Sequence, residues 1–271
     1  AEDSTDPDVK AKELKLASDA YRKAAAAYRG LVDKYPDSEY APDALYAIAA
    51  CHTYIAEALT DETAKQKEMA AISAAYKELA ENYPQSEHAA AAFMSVGNDY
   101  YNQAAAPDLS GDEKTKLYKL SLENYRQALH VPGIDGKTRA TLEAYIRETE
   151  ELLAKDTYSA GAALVPVDAD IATKKANAPK AIPYFKEVID TLPNTDYADL
   201  SYVQLGLCYE YLEDWENAEN AYGALIKKYT DENGNQYADS YKASYIVRGY
   251  IRIVVYDITV SSNPAKAGDR V

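Results

Sequence analysis

Three histidines, two cysteines and one polar loop are the places where this 271-residue sequence could hold chemistry. A helical zinc pair needs two imidazoles at i and i+4. His52, His88 and His130 fall in three different predicted hairpins, so each is assigned a packing or surface role. His52 is expected to be the most buried, because it stands where a repeat described below carries tyrosine. Cys51 and Cys208 lie far apart, each inside an apolar helical stretch, and are read as buried thiols rather than a disulfide or a reactive pair. The loop "TDENGNQYAD" offers Asp231, Asn233, Asn235 and Asp239 as calcium ligands. Its glycine is fourth rather than sixth, and no glutamate stands twelfth, so a turn at Asn233-Gly234 is expected instead. Asp61-Glu62 and the stretch from Asp108 to Asp112 read as solvated helix caps. With no phosphate loop, nucleophile elbow or haem-attachment motif, neither enzyme activity nor a cofactor or metal is expected.

The remaining chemistry is that of tyrosine, which numbers 26 against 2 Phe and 1 Trp. A phenol supplies apolar area, a hydrogen-bonding tip and little conformational entropy to lose. Such rings serve equally to pack helices and to recognise a peptide or a sugar. Charge narrows the partners: 44 acidic against 29 basic residues give a net −15 with no basic cluster, which repels nucleic acid. No stretch approaches the roughly 20 apolar residues that span a bilayer. The beginning, "AEDSTDPDVK", resembles what remains after a signal peptide is cut behind a small residue, so export to a periplasm or cell surface is expected.

The elements that position these residues are repeated. Pro36, Pro84 and Pro132 stand 48 residues apart. Ahead of the first two come Tyr28 and Leu31, then Tyr76 and Leu79; behind them, Leu45, Ile48 and Ala49 match Phe93, Val96 and Gly97. The unit is a helix, a Pro-containing turn and a second helix. Gly206, Gly97, Ala49 and Gly249 mark where one helix of a hairpin crosses the other, with Ala218, Ala181 and Ala24 expected as small residues opposite. The 48-residue spacing is ascribed to enlarged turns at "LTDETAKQK" and "APDLSGDEK" with longer helices.

The sharpest instance is Tyr202-x2-Leu205-Gly206-x2-Tyr209 followed by Ala218-x3-Tyr222, which resembles the tetratricopeptide repeat, a motif of about 34 residues. The phrases Tyr35-Pro36-Asp37-Ser38 and Tyr83-Pro84-Gln85-Ser86 resemble the subset of these repeats in bacterial envelope proteins, including outer-membrane-assembly lipoproteins and a Tol-Pal-associated periplasmic protein. The resemblance implies an all-α fold, a right-handed solenoid of about five antiparallel hairpins. Helices are predicted near 9–34, 41–59, 63–82, 87–105, 112–130, 137–154, 178–191, 197–212, 215–229 and 237–256. Residues 1–155 form one helical block, 156–179 a linker without periodicity, 180–260 a second block and 261–271 a polar tail.

The resemblance also implies that helix A of each hairpin lines a concave face. Its outward positions are Tyr46 and Ala50, Met94, Asn98 and Tyr101, Glu143 and Arg147, Val203, Leu207 and Tyr211, and Ile246 and Tyr250. These are the candidate contacts to another protein or peptide. The family's carboxylate clamp asks for Lys and Asn where Tyr46 and Ala50, Met94 and Asn98, and Val203 and Leu207 stand, so that clamp is not expected. The function that follows is a non-enzymatic scaffold. Two other readings are a carbohydrate-binding repeat protein using exposed tyrosines, and a structural subunit self-associating through Ile246, Tyr250, Ile253 and Val254.

Overall fold

The computed structural model describes residues 7–230. Nine α-helices form among them: α1 Pro7–Lys34, α2 Ala41–Ala58, α3 Glu62–Asn82, α4 Ala89–Ala104, α5 Gly111–His130, α6 Gly136–Leu164, α7 Ile171–Thr191, α8 Asp196–Tyr211 and α9 Trp215–Tyr229. The helix expected over 237–256 lies outside the described residues, as do Ile246, Gly249, Tyr250, Ile253, Val254, the proposed calcium ligands and the polar tail. The chain divides into two compact units, residues 1–149 and 150–271.

Local chemistry sets the helix ends. Asp61, Asp170, Thr195 and Asp214 each cap a helix by accepting a hydrogen bond from a first-turn N–H. Ser110 and Glu113 close a reciprocal capping box. The Tyr-Pro-x-Ser phrase makes one turn twice: Ser38 N–H donates to the Tyr35 carbonyl and Ala41 N–H to Ser38, and Ser86, Tyr83 and Ala89 repeat the pattern. Leu192-Pro193-Asn194-Thr195 forms it a third time, with Thr195 donating to Leu192 and Ala198 to Thr195. Proline suits its place because no N–H is needed there.

In the first unit α1 to α5 pack in sequence around Val32, Leu45, Ile48, Ile72, Leu79, Ala92 and Val96. Polar bonds tie each repeat to the next at nearly the repeat spacing. Arg29 pairs with Glu78 at 2.7 Å and Arg22 with Glu68 at 2.9 Å, joining α1 to α3. The Tyr83 hydroxyl donates to the Pro36 carbonyl at 2.6 Å, joining consecutive turns. Glu68 also meets His52 Nδ1 at 2.6 Å. Burial pushes the Glu68 carboxyl up, yet the bonds and charges of His52 and Arg22 outweigh it and hold the group below its ordinary range.

Two expectations about packing are corrected. At the crossings marked by Gly97 and Gly206 the glycine faces an aromatic ring, not a small residue. A Cβ on Gly97 would lie 2.6 Å from the Tyr125 ring, one on Gly206 2.3 Å from Tyr222, and one on Gly161 2.9 Å from Tyr184 Cβ and 3.1 Å from the Phe185 ring. The Tyr125 and Tyr222 hydroxyls donate to Asn98 and Glu210 at 2.7 and 2.8 Å. That is a reason for tyrosine here rather than phenylalanine: the ring fills the glycine's hollow and the tip needs a partner. Nor is the α2–α3 turn enlarged, being only Leu59 to Asp61, although the α4–α5 connection, residues 105–110, is; most of the added length lies in the second helices, α3 and α5 having 21 and 20 residues against 15 in α9.

The linker expected at 156–179 is also overturned. Residues 156–164 complete α6, residues 171–179 open α7, and only 165–170 connect them. The second unit packs Val165, Ala178, Ala181, Phe185, Leu205, Cys208 and Ala221 together, with α7 against α8 and α8 against α9.

The cysteines are free and buried, one in each unit. Burial pushes both thiols up, Cys208 to about 12. Since only the thiolate reacts, and only after local opening, each is expected to react with an aromatic disulfide reagent roughly tenfold or more slowly than in denaturant. Site-resolved labelling by mass spectrometry measures this; a native-state rate equal to the denatured rate at either cysteine would contradict its burial.

Candidate functional site

Helices α2, α4, α6 and α8 occupy the A position of their hairpins, and a hollow lies between α4 and α6. It holds about 270 Å³ and lies wholly within residues 1–149. Helix α4 supplies Asn98, Tyr101 and Asn102, and α6 supplies Tyr145, Glu148 and Thr149. Both sets follow i, i+3, i+4, the spacing of one flank of a helix. The floor is Tyr125 of α5, the ring seated against Gly97.

Hydrogen bonds fix these groups. Tyr101 donates to Glu148 Oε1 at 2.7 Å, bridging the hollow from α4 to α6. Tyr125 donates to Asn98 Oδ1, and its ring meets that of Tyr145 at 5.5 Å. Tyr101 packs against Tyr118 edge-on at 5.9 Å. Burial first, then the Glu148 bond and charge, push the Tyr101 phenol far above its ordinary value, so it remains a donor at neutral pH. Burial likewise raises Tyr125.

The structure brings together only part of the predicted set. Asn98 and Tyr101 line the cleft, whereas Met94 packs against the Tyr125–Leu142 core and Tyr211 against the core of the second unit, with Lys174 Nζ 5.7 Å above its ring. Tyr46 is 36% exposed, but His88 stacks flat on it at 4.1 Å and Tyr76 abuts its edge. Arg147 and Glu143 are exposed on α6, Ala50 is half-buried on α2, and Val203 and Leu207 are half-buried on α8. Asn102, Tyr125, Tyr145, Glu148 and Thr149 escaped the sequence reading. It chose the crest of each A helix, while the cleft is a furrow lined by flanks. Tyr125 carried a usable signal: Ser121-x3-Tyr125 occupies the register of Ala218-x3-Tyr222.

A second hollow, of about 420 Å³, opens on the other side of the hairpins, with Phe93, Tyr100 and Leu120 among its walls and Lys77, Glu123 and Gln127 at its margin. His130 bonds the Arg126 carbonyl, and His88 approaches Asp43 at 3.3 Å. Asp43, Glu87 and His88 bring ligand-type atoms within 4.8 Å of one another, the two carboxylates on the open surface. No described helix is long and apolar enough to cross a membrane.

Residues 13–38 and 200–231 match the tetratricopeptide repeat family. The second match covers most of α8 and all of α9, and the first covers most of α1 and part of the turn after it. No curated protein matches the chain.

Proposed function

We propose that this tetratricopeptide repeat protein is a non-enzymatic scaffold that holds a segment of another protein on its A-helix face. The observation that carries the reading is the α4–α6 cleft, where three tyrosines, two asparagine amides and a carboxylate converge on the repeat's A side. Tyrosine and amide groups of this kind bind with adaptable hydrogen bonds and little entropy cost. The envelope placement rests on the resemblance of the Tyr-Pro-x-Ser turns to those of bacterial envelope repeats. The glycan reading has less support: among the exposed tyrosines, Tyr46 gives a face to His88 and Tyr54 lies against Tyr21 at 5.0 Å. Self-association through Ile246 and Tyr250 concerns residues outside those described.

A photo-crosslinking amino acid at Asn102, in the cleft, is compared with one at Gln127, beside the opposite hollow. In the native source, Asn102 is expected to capture one protein in the envelope fraction, and Gln127 is not. Equal capture from both positions, or none from Asn102, sinks the proposal.

A further inference from the structure

We propose that the α4–α6 cleft is a subsite for a cationic side chain, lysine or arginine, carried by an extended segment of the bound partner; this rests on the scaffold reading above. Its walls are the rings of Tyr101, Tyr125 and Tyr145, the Glu148 carboxylate and two amides, with no basic residue among them. Aromatic faces attract cations, and more strongly where water is partly excluded. Glu148 receives one hydrogen bond, from Tyr101 to Oε1, and pairs with no cation among the described residues. That bond also fixes the carboxylate beside the Tyr101 ring. A negative group is thus oriented beside the rings at the open mouth of the furrow, on an exposed residue. Arg147 does not supply one: adjacent residues on a helix point about 100° apart, and it is not among the groups lining the cleft.

Size and field agree. About 270 Å³ is just under the roughly 300 Å³ where small-molecule pockets begin, which suits one long side chain. A net charge of −15 raises the local concentration of cationic partners. Asn98 accepts from Tyr125 through Oδ1, which leaves its N–H2 to donate, and Asn102 stands one turn further along the same flank. Two amides one turn apart can pair with the main chain of an extended peptide, while its side chain enters between the rings. A sugar would also use tyrosines and amides, but a neutral sugar gains nothing from the charge of a carboxylate oriented beside the rings.

The test uses capped octapeptides of alternating Ala-Lys, Ala-Arg and Ala-Gln, and a neutral cello-oligosaccharide, titrated against the full chain by calorimetry. A lysine or arginine peptide is expected to bind and the glutamine peptide is not. Glu148→Gln should weaken binding about tenfold or more, the size of losing one charge-assisted contact. Asp43→Asn, which removes an equal charge from an exposed site outside the cleft, should leave it within about twofold; circular dichroism and a urea melt check folding of both. Equal losses in both variants would mean attraction by net charge alone and overturn the subsite. So would binding of the oligosaccharide without the cationic peptides, or no binding of either cationic peptide at millimolar concentration. If Asn102 still captures its partner undiminished in Glu148→Gln, the subsite is wrong and the scaffold stands; if Asn102 captures nothing in the unmodified protein, the scaffold reading itself fails.

Discussion

Gly206→Leu is expected to lower the stability of the second unit by about 3 kcal/mol or more, the upper part of the range for overpacking a filled site. Even the first added carbon would lie 2.3 Å from two Tyr222 ring atoms and 2.8 Å from the hydroxyl oxygen. The ring has nowhere to go, being 2% exposed and anchored through its hydroxyl to Glu210. Helix propensity works in the opposite direction by only about 1 kcal/mol, so packing decides the sign. Gly223 is the control within the same hairpin. A Cβ there meets nothing within 4 Å, and Gly223→Ala should therefore stabilise by up to about 1 kcal/mol. Urea melts followed by the amide signal read both. A raised or unchanged midpoint for Gly206→Leu would show that the glycine–tyrosine crossing does not hold α8 to α9.

The same crossing shows what was legible in the sequence. Repetition of Pro, Leu and small residues placed the described helices apart from the end of α6 and the start of α7, because turn chemistry and apolar periodicity are local. What faces what across a crossing is not local. A glycine in an amphipathic run shows that something comes close, without saying whether it is a methyl or a phenol. The spacing Gly206 to Tyr222 and Gly97 to Tyr125 differs, chiefly because Tyr125 lies about two turns deeper in α5 than Tyr222 does in α9, and in smaller part because the α4–α5 connection is longer. The pairing therefore does not appear as a fixed interval.

Residues 156–179 failed for a related reason. The stretch shows no apolar periodicity, yet it is helical except at 165–170; α6 runs through Gly161, and α7 carries Pro179 and Pro183, which the predicted 178–191 helix also included. Gly161 is a contact point: the Phe185 ring and Tyr184 fill the space a side chain would need. Pro179 and Pro183 are four apart in α7, both on its exposed side. Each removes one intrahelical bond, and the freed carbonyls of Lys175 and Pro179 lie on the stripe that water reaches. Asp170 then caps the helix well before the prolines, with Thr173 N–H bound to its carboxylate at 2.9 Å. A proline is costly in a helix chiefly where its lost bond is buried.

Asp199→Ala is expected to cost about 3 kcal/mol, the low end for breaking a buried ion pair. The low end applies because Lys228 keeps 28% of its side-chain exposure while Asp199 has none. By position Asp199 is one of two acidic residues in the first turn of α8. It is instead enclosed, with Lys228 Nζ at 2.9 Å on one oxygen and the Tyr229 hydroxyl at 2.7 Å on the other. Lys228 also donates to the Pro193 carbonyl, so one cation joins α9, α8 and the turn that starts α8. In the first unit a neutral phenol does the corresponding work, Tyr83 reaching the Pro36 carbonyl. A charge serves here because the acceptor is a carboxylate as well as a carbonyl, and a buried carboxylate without a cation would be strongly disfavoured. Lys228→Met should accordingly cost at least as much as Asp199→Ala, although it removes the more exposed partner. The pair is then tested by a double-mutant cycle in urea. Asp199→Ala combined with Lys228→Met should be more stable than the sum of the single losses predicts, by about 1–3 kcal/mol. Strict additivity, or a loss under about 0.5 kcal/mol for Asp199→Ala, would mean that the carboxylate finds water in the folded protein and that the hairpin is held by its glycine–tyrosine crossing alone.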